Sequence, residues 1–322
     1  MNPGAALPAI PAGRRVAFLG PPGTFGEEAL LTQPDLAETE LVPLRSMTDV
    51  LAAVAGGDVD YGFVAIENSI EGTVNQVIDG LVFDRDLHIE REVVIEVSQC
   101  LIGPPGMQLE DVRRVVSIPH AIGQCRGFFS AHLTDIEEVA ANSTAEAVQL
   151  VGEERPLGMA ALGPALAAKL YGLEVLAADI EDHDDNMTRF VLVARSGSGS
   201  IPPSTGHDKT SIVCFQKADV PGSLHAILSQ FSARNINLTK LESRPTKKAL
   251  GQYCFIIDLE GHVDDEVVAD CLRDLHAQLA SVKFLGSYPA AGEHGPAIRH
   301  DAESSWRSAD DWVTALRKQV RR

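Results

Sequence analysis

Between residues 14 and 196 short apolar runs alternate with helical patterns, and turn-forming residues end most of the runs. No other feature narrows the fold as much. A buried strand reads as a short unbroken apolar run, an amphipathic helix as apolar residues at i, i+3, i+4 and i+7. Val16-Ala17-Phe18-Leu19 is the first run, stopped by Gly20-Pro21-Pro22-Gly23. Ser46 opens a helix with Met47, Val50, Leu51 and Val54 on one face, and Gly56-Gly57 closes it. Tyr61 to Ile66 is the next strand, and further strands are expected near 115–118, 136–140, 157–161, 174–178 and 189–194. Helices are expected near 73–83, 120–132, 144–152 and 163–171. The pattern predicts an α/β architecture with mostly parallel sheets.

One run, IEREVVIEVSQCLI at 89–102, is long enough to leave one lobe and enter another. Lobe crossings are expected near 92–100 and, on the way back, near 178–190, with a ligand cleft between the lobes. Residues 1–13 read as a flexible N-terminus, 14–195 as the two-lobed module, and 196–208, rich in Ser, Gly and Pro, as a linker. From 209 to 288 the order of signals is βαββαβ, the ferredoxin-like arrangement. The tail, 289–322, is polar; Trp312, Leu316 and Val320 are spaced for one helix face, although a frayed end is the favoured reading.

Charge and cysteines bound the partners. The formal net charge of −18 disfavours adsorption to nucleic acid or anionic lipid, and 5% aromatic residues leave little for base stacking. Five scattered cysteines without CxxC spacing read as reduced thiols in a cytoplasmic protein. The match of Asn186-Met187-Thr188 to a glycosylation acceptor is set aside on that ground. No His/Cys/Asp/Glu set has metal-ligand spacing, so neither metal nor cofactor is expected.

Four polar clusters interrupt the apolar pattern at strand ends, where open α/β sheets bind ligands. In Gly20-Pro-Pro-Gly-Thr-Phe, Thr24 either caps the next helix or helps bind an anion. Asn68 and Ser69 follow a buried strand, either as turn formers or as ligand contacts. Ser117 ends another strand, with His120 opening a helix and Gln124 one turn in. Asn186-Met-Thr-Arg-Phe sets a hydroxyl and a guanidinium between acids and an apolar strand, and Thr188 is either a strand former or a site residue.

Together, GPPGTF, AIENSIEG, SIPHAIGQC and NMTRF, followed by PGSL and LESRP, resemble the prephenate dehydratase family over residues 14 to 288. The resemblance implies a two-lobed catalytic module like a periplasmic binding protein and a C-terminal ACT regulatory domain that binds L-phenylalanine. It implies a carbon–oxygen lyase in phenylalanine biosynthesis, acting on prephenate, with Thr188 catalytic and Thr24, Asn68, Ser69, Ser117, Gln124, Arg189 and Phe190 on the substrate. Phenylalanine would meet Gly222, Ser223, Leu224, Asn235, Asn237, Glu242, Ser243, Arg244 and Pro245 at an interface in a homodimer or homotetramer. Ile118 and His120 depart from the His and Gln that often flank the proline of the third motif, and Ser223 replaces a common alanine. An arogenate dehydratase and a non-catalytic amino-acid sensor are the alternatives.

Overall fold

The computed structural model describes residues 9–133, 135–183, 185–197, 199–248, 251–291 and 312–319. The chain divides into two compact units, one holding 9–80 and 93–193, the other 81–92 and the described residues from 194 onward.

One lobe is built on a sheet of β1 (Arg15–Leu19), β2 (Glu40–Leu44), β3 (Tyr61–Asn68), β4 (Gly72–Thr73), β5 (Leu87–Glu96) and β11 (Met187–Arg195), of which residues 93–96 of β5 and 187–193 of β11 belong to the first unit. Its order is β2-β1-β3-β11-β5, with β4 hydrogen-bonded to β3. Strand β1 runs parallel to both β2 and β3. The helices of this lobe are α1 (Phe25–Leu31), α2 (Pro34–Ala37), α3 (Met47–Gly56) and α4 (Asn75–Asp79). Ser46 caps α3 by accepting from the Asp49 N–H at 3.0 Å, and Gly57 ends it in the left-handed region at φ 81°. Val16, Phe18, Leu30, Phe63, Val93, Phe190 and Leu192 form the core. Strand β2 adds to the expected set: Pro43 interrupts its apolar run, which is why it lies at the sheet edge.

The second lobe has β6 (Cys100–Gly103), β7 (Arg114–Ser117), β8 (Glu137–Ala140), β9 (Met159–Gly163) and β10 (Glu174–Ala177), in the order β10-β6-β9-β7-β8. Its helices are α5 (Pro119–Gly123), α6 (Arg126–His132), α7 (Thr144–Glu154) and α8 (Ala165–Leu170). Val148 and Ala167 pack on one face of this sheet and Ile122 and Phe129 on the other. The β7 pairs are parallel whereas β6 pairs antiparallel with β9 and β10, so the sheets are mixed. The long run at 89–102 breaks at residues 97–99, and the helix expected at 120–132 breaks at Gln124-Cys125. Both breaks lie beside Asn186, whose carbonyl accepts from the Val97 N–H and whose amide donates to Gln124 Oε1.

The second unit contains β12 (Asp208–Phe215), α9 (Ser223–Ser232), β13 (Leu238–Pro245), β14 (Tyr253–Glu260), α10 (Glu266–Gln278) and β15 (Ser281–Pro289). Its antiparallel sheet has the order β13-β14-β12-β15, the ferredoxin-like topology, with Ile227, Phe231, Ile257 and Leu275 between sheet and helices. The Ser/Gly/Pro segment after residue 195 is tied down rather than free. Ser200 Oγ lies 2.7 Å from His88 Nδ1 and donates to the Gly197 carbonyl, and Pro202 O lies 3.0 Å from His262 Nε2. The buried Asp208 carboxylate accepts from the Ser204 and Thr205 hydroxyls. Residues 312–318 are helical, with Trp312 and Leu316 exposed; Val320 lies outside the described residues.

Candidate active site

The end of β3 lies beside the start of β11. The Ser69 N–H donates to the Met187 carbonyl at 2.8 Å, and Ser69 Oγ donates to the Asp185 carbonyl while accepting from the Met187 N–H. Asn68 sits at the centre. Its Oδ1 accepts from the Ile70 and Glu71 N–H groups at 2.9 and 3.0 Å, forming a local turn that fixes which way the amide faces. Its Nδ2 therefore points at Thr188 Oγ1, 2.8 Å away, and at Asn186 Oδ1, 2.7 Å away.

This arrangement sets the direction of the Thr188 hydroxyl. The oxygen receives the Asn68 donor, and among the described residues no acceptor holds its hydrogen. Thr188 is only 9% exposed, so its O–H is held in a nearly closed setting and is available for a bound molecule. A threonine that merely formed strand would need no such partner.

Asn186, 2% exposed, joins the lobes: it accepts from Asn68 and donates to Gln124 Oε1 at a long 3.4 Å. Its backbone carbonyl also accepts from the Val97 N–H at 2.7 Å, where the chain crosses between lobes. Gln124 Nε2 approaches His120 Nε2 at 2.6 Å, and the same ring nitrogen lies 2.9 Å from Glu71 Oε1. A ring nitrogen cannot accept from an amide and donate to a carboxylate at once, so His120 serves one partner at a time. Sequence reasoning missed Asn186, Glu67, Glu71 and His120 as members of this cluster. The signal lay in the quoted motifs, whose second polar residues had no assigned partner.

Arg189 reaches the Glu67 carboxylate at 3.4 Å and its side chain is 11% exposed, so the cation is held in a nearly closed setting. Across the cleft, the Tyr171 hydroxyl donates to the Pro22 carbonyl at 3.0 Å, and a Cβ on Gly23 would come within 2.9 Å of Ala167 Cβ. The two lobes thus touch at the Gly20–Gly23 turn as well as at Asn186.

Three expected substrate contacts are placed differently. Thr24 Oγ1 donates to the Leu19 carbonyl and accepts from the Glu27 N–H, so its hydroxyl is committed to capping α1. The buried Ser117 Oγ donates to the Leu162 carbonyl on the neighbouring strand. Phe190 is a core residue, 4% exposed and stacked on Phe63 with centroids 5.3 Å apart. A depression lined by Glu28, Thr32, Glu96 and Ser98 is acidic and ill suited to an anionic ligand. Burial pushes the Cys100 thiol up to about 11 and Cys125 to about 12, so neither supplies a thiolate nucleophile.

In the second unit, Gly222 takes φ 86° ahead of α9 and Ser223 Oγ donates to Gln216 Oε1 at 3.1 Å. A depression beside Ser223 is walled by Val220, Ile227, Leu275 and Leu279. Leu224 packs on the core, Asn235 adopts φ 53°, and Asn237 donates to Glu260 at 2.9 Å. On β13, Arg244 pairs with Glu242 at 3.0 Å on the half-buried face, while Ser243 and Pro245 face outward.

Residues 16–198 match the prephenate dehydratase family and 210–277 the ACT domain family. The chain belongs to the prephenate dehydratase family. A prephenate dehydratase of Mycolicibacterium vanbaalenii is 42% identical, over 94% of this chain and 98% of that protein. The structure of a prephenate dehydratase from Arthrobacter aurescens in complex with L-Phe aligns with a TM-score of 0.85 at 39% identity, covering 94% of this chain and 99% of that one. A protein described as a novel type of quorum-quenching acylase aligns at 0.78 with 30% identity, over 86% and 98% of the two chains.

Proposed function

We propose that this protein converts prephenate to phenylpyruvate, a carbon–oxygen lyase reaction, and that L-phenylalanine slows it through the ACT unit. The observation that carries the reading is the Thr188 hydroxyl, which accepts from Asn68 Nδ2 and so keeps its own hydrogen for another partner. Prephenate carries a ring carboxylate, a pyruvyl carboxylate and a 4-hydroxyl. Breaking the bond to the ring carboxylate releases carbon dioxide. Its electron pair enters the ring, the 4-hydroxyl leaves, and the ring becomes aromatic. Negative charge grows on the departing oxygen in the transition state, and a fixed hydroxyl donor stabilises it there more than in the bound substrate. Thr188 takes this role. Asn68 sets its direction, and Gln124 and Asn186 bring the second lobe into register, which excludes water.

Arg189 holds the pyruvyl carboxylate, which keeps its charge throughout, and Glu67 holds the guanidinium ready. A cation on the ring carboxylate would favour the ground state and slow its loss. With its hydroxyl in the cap, Thr24 fixes the turn, and Ser117 orders the second lobe. Acyl transfer, the activity named for one structural relative, asks for a nucleophile with a base beside it. The Thr188 oxygen instead accepts from an amide.

In the regulatory unit the Gly222–Leu224 turn offers backbone donors and the depression beside Ser223 an apolar wall. Asn235 and Asn237 shape the entry to β13, and Glu242, Ser243, Arg244 and Pro245 close the effector site from a neighbouring copy, in a dimer or tetramer. Phenylpyruvate formation from prephenate, with and without millimolar phenylalanine, tests both assignments. Turnover suppressed by phenylalanine is expected. Turnover of arogenate but not prephenate would move the substrate assignment, and no turnover of either by folded protein would refute the catalytic one.

A further inference from the structure

Residues 81–92 precede the crossing into the second lobe, yet they pack with the regulatory unit. The attachment is specific. The Glu92 side chain is fully buried, with the Lys209 ammonium 2.8 Å away, and it also accepts from the Ala291 N–H at 2.7 Å. Lys283 Nζ donates to the Val82 and Arg85 carbonyls, capping the turn ahead of β5. His88 meets Phe284 edge-on, and the backbone of Ile89 fills the space a side chain at Gly286 would need. Lys209 of β12 and Phe284 and Gly286 of β15 therefore grip one half of β5, and Lys283 the turn ahead of it.

The other half of the same strand enters the catalytic unit. Strand β5 is the hydrogen-bonded neighbour of β11, which carries Thr188 near its start. Immediately beyond β5, the Val97 N–H donates to the Asn186 carbonyl, and Asn186 in turn accepts from the amide that orients Thr188. A strand transmits axial displacement well, because its backbone is near full extension.

We infer that β5 is the rod through which the regulatory unit acts on the Thr188–Asn68–Asn186 cluster, and that the buried Lys209–Glu92 pair is its coupling pin. At its other end, β12 runs from Lys209 to Phe215 and into the Gln216–Gly222 loop beside the proposed effector site. A change at that loop moves β12, the pin moves β5, and the Val97–Asn186 hydrogen bond carries the shift to the cluster. The inference rests on phenylalanine regulating through this unit, and it assigns the route.

The test uses the full-length enzyme with Lys209→Met, which keeps the aliphatic stem, and the double variant Lys209→Met/Glu92→Met. The double variant leaves no lone buried charge should the single one fold poorly. Phenylalanine binding is measured by calorimetry and inhibition by prephenate turnover. Basal kcat/KM within about twofold of wild type and phenylalanine Kd within about fivefold are expected. The factor by which saturating phenylalanine lowers kcat/KM should shrink at least about fivefold, a large share of a typical coupling. Inhibition like wild type in both variants overturns the inference alone. Loss of phenylalanine binding in both also overturns it, because the pair then only holds the regulatory unit together. A wild-type enzyme that phenylalanine leaves untouched removes the regulatory reading beneath it.

Discussion

Replacing Asn68 by aspartate reverses one hydrogen bond while changing almost no shape. One carboxylate oxygen can still accept from the Ile70 and Glu71 N–H groups, so the turn survives. The other oxygen replaces Nδ2, 2.8 Å from Thr188 Oγ1 and 2.7 Å from Asn186 Oδ1. Facing an acceptor, Thr188 turns its hydrogen toward the new carboxylate and away from the cleft. The threonine remains, but the departing hydroxyl loses its donor. Removing a preorganised donor costs about 10²–10³ in kcat, or roughly 2.7–4 kcal/mol. The new contact with Asn186 Oδ1 is also repulsive unless that amide flips, which would break its donation to Gln124. The proposed Arg189 contact is left in place, so KM should change less than about threefold, with the loss confined to the transition state. The assay is steady-state phenylpyruvate formation by Asn68→Asp, Thr188→Val and the double variant. Because both changes delete the same donation, the double variant should be no slower than about threefold below the worse single one. A kcat for Asn68→Asp within about tenfold of wild type, or fully additive losses, would refute the donor argument.

Arg189→Ala should raise KM by more than about tenfold with a smaller loss of kcat, whereas Glu67→Gln should raise KM only a few-fold; steady-state kinetics separate these cases. Gly23→Ala forces a side chain onto Ala167 at a φ of +92°, so the lobes should close less completely. Steady-state kinetics should then show KM rising and kcat falling together, and an unchanged profile would dismiss this contact as a closure point. Burial raises the Glu90 carboxyl from its ordinary 4.5 to about 7, despite the opposing charge of Arg91. The folded state thus binds the proton more tightly than the unfolded one, and stability falls as pH rises from about 4.5 through about 7. The effect is on the order of 3 kcal/mol before solvent screening. Urea unfolding should therefore show Glu90→Gln gaining on wild type between about pH 5 and pH 8, and a pH-independent difference would contradict the assigned burial.

Much of this molecule was legible in periodicity. The short apolar runs became strands, and the helix with Val50, Leu51 and Val54 on one face ended at its glycines. The regulatory unit took the expected topology because its alternation was regular. Features set by distant partners were harder to read. Strand β2 has a proline in it and is tolerated only as an edge. The helix break at Gln124 follows a single glycine, Gly123, inside an otherwise helical pattern, and it turns an amide toward Asn186. The Ser/Gly/Pro segment looks flexible by composition, but Asp208, His88 and His262 hold it. The motif singled out Thr188, whereas the contacts of Asn186 were not legible, since they bridge segments over a hundred residues apart. Phe190 shows the reverse case: it lies within the motif, and the structure packs it in the core.

All five cysteines are buried and none is in a disulfide, Cys100 and Cys125 in the second lobe and Cys214, Cys254 and Cys271 in the regulatory unit. Burial pushes the Cys214 and Cys271 thiols to about 12, so the folded chain presents no ready thiolate to an alkylating reagent. Each sulfur reacts only when its surroundings open, and its labelling rate therefore reports a local opening equilibrium. The native sequence carries a built-in set of stability probes, two in one lobe and three in the regulatory unit. Peptide-resolved alkylation at neutral pH can follow how ligands in the cleft and at the effector site tighten each region, without a foreign label anywhere in the chain.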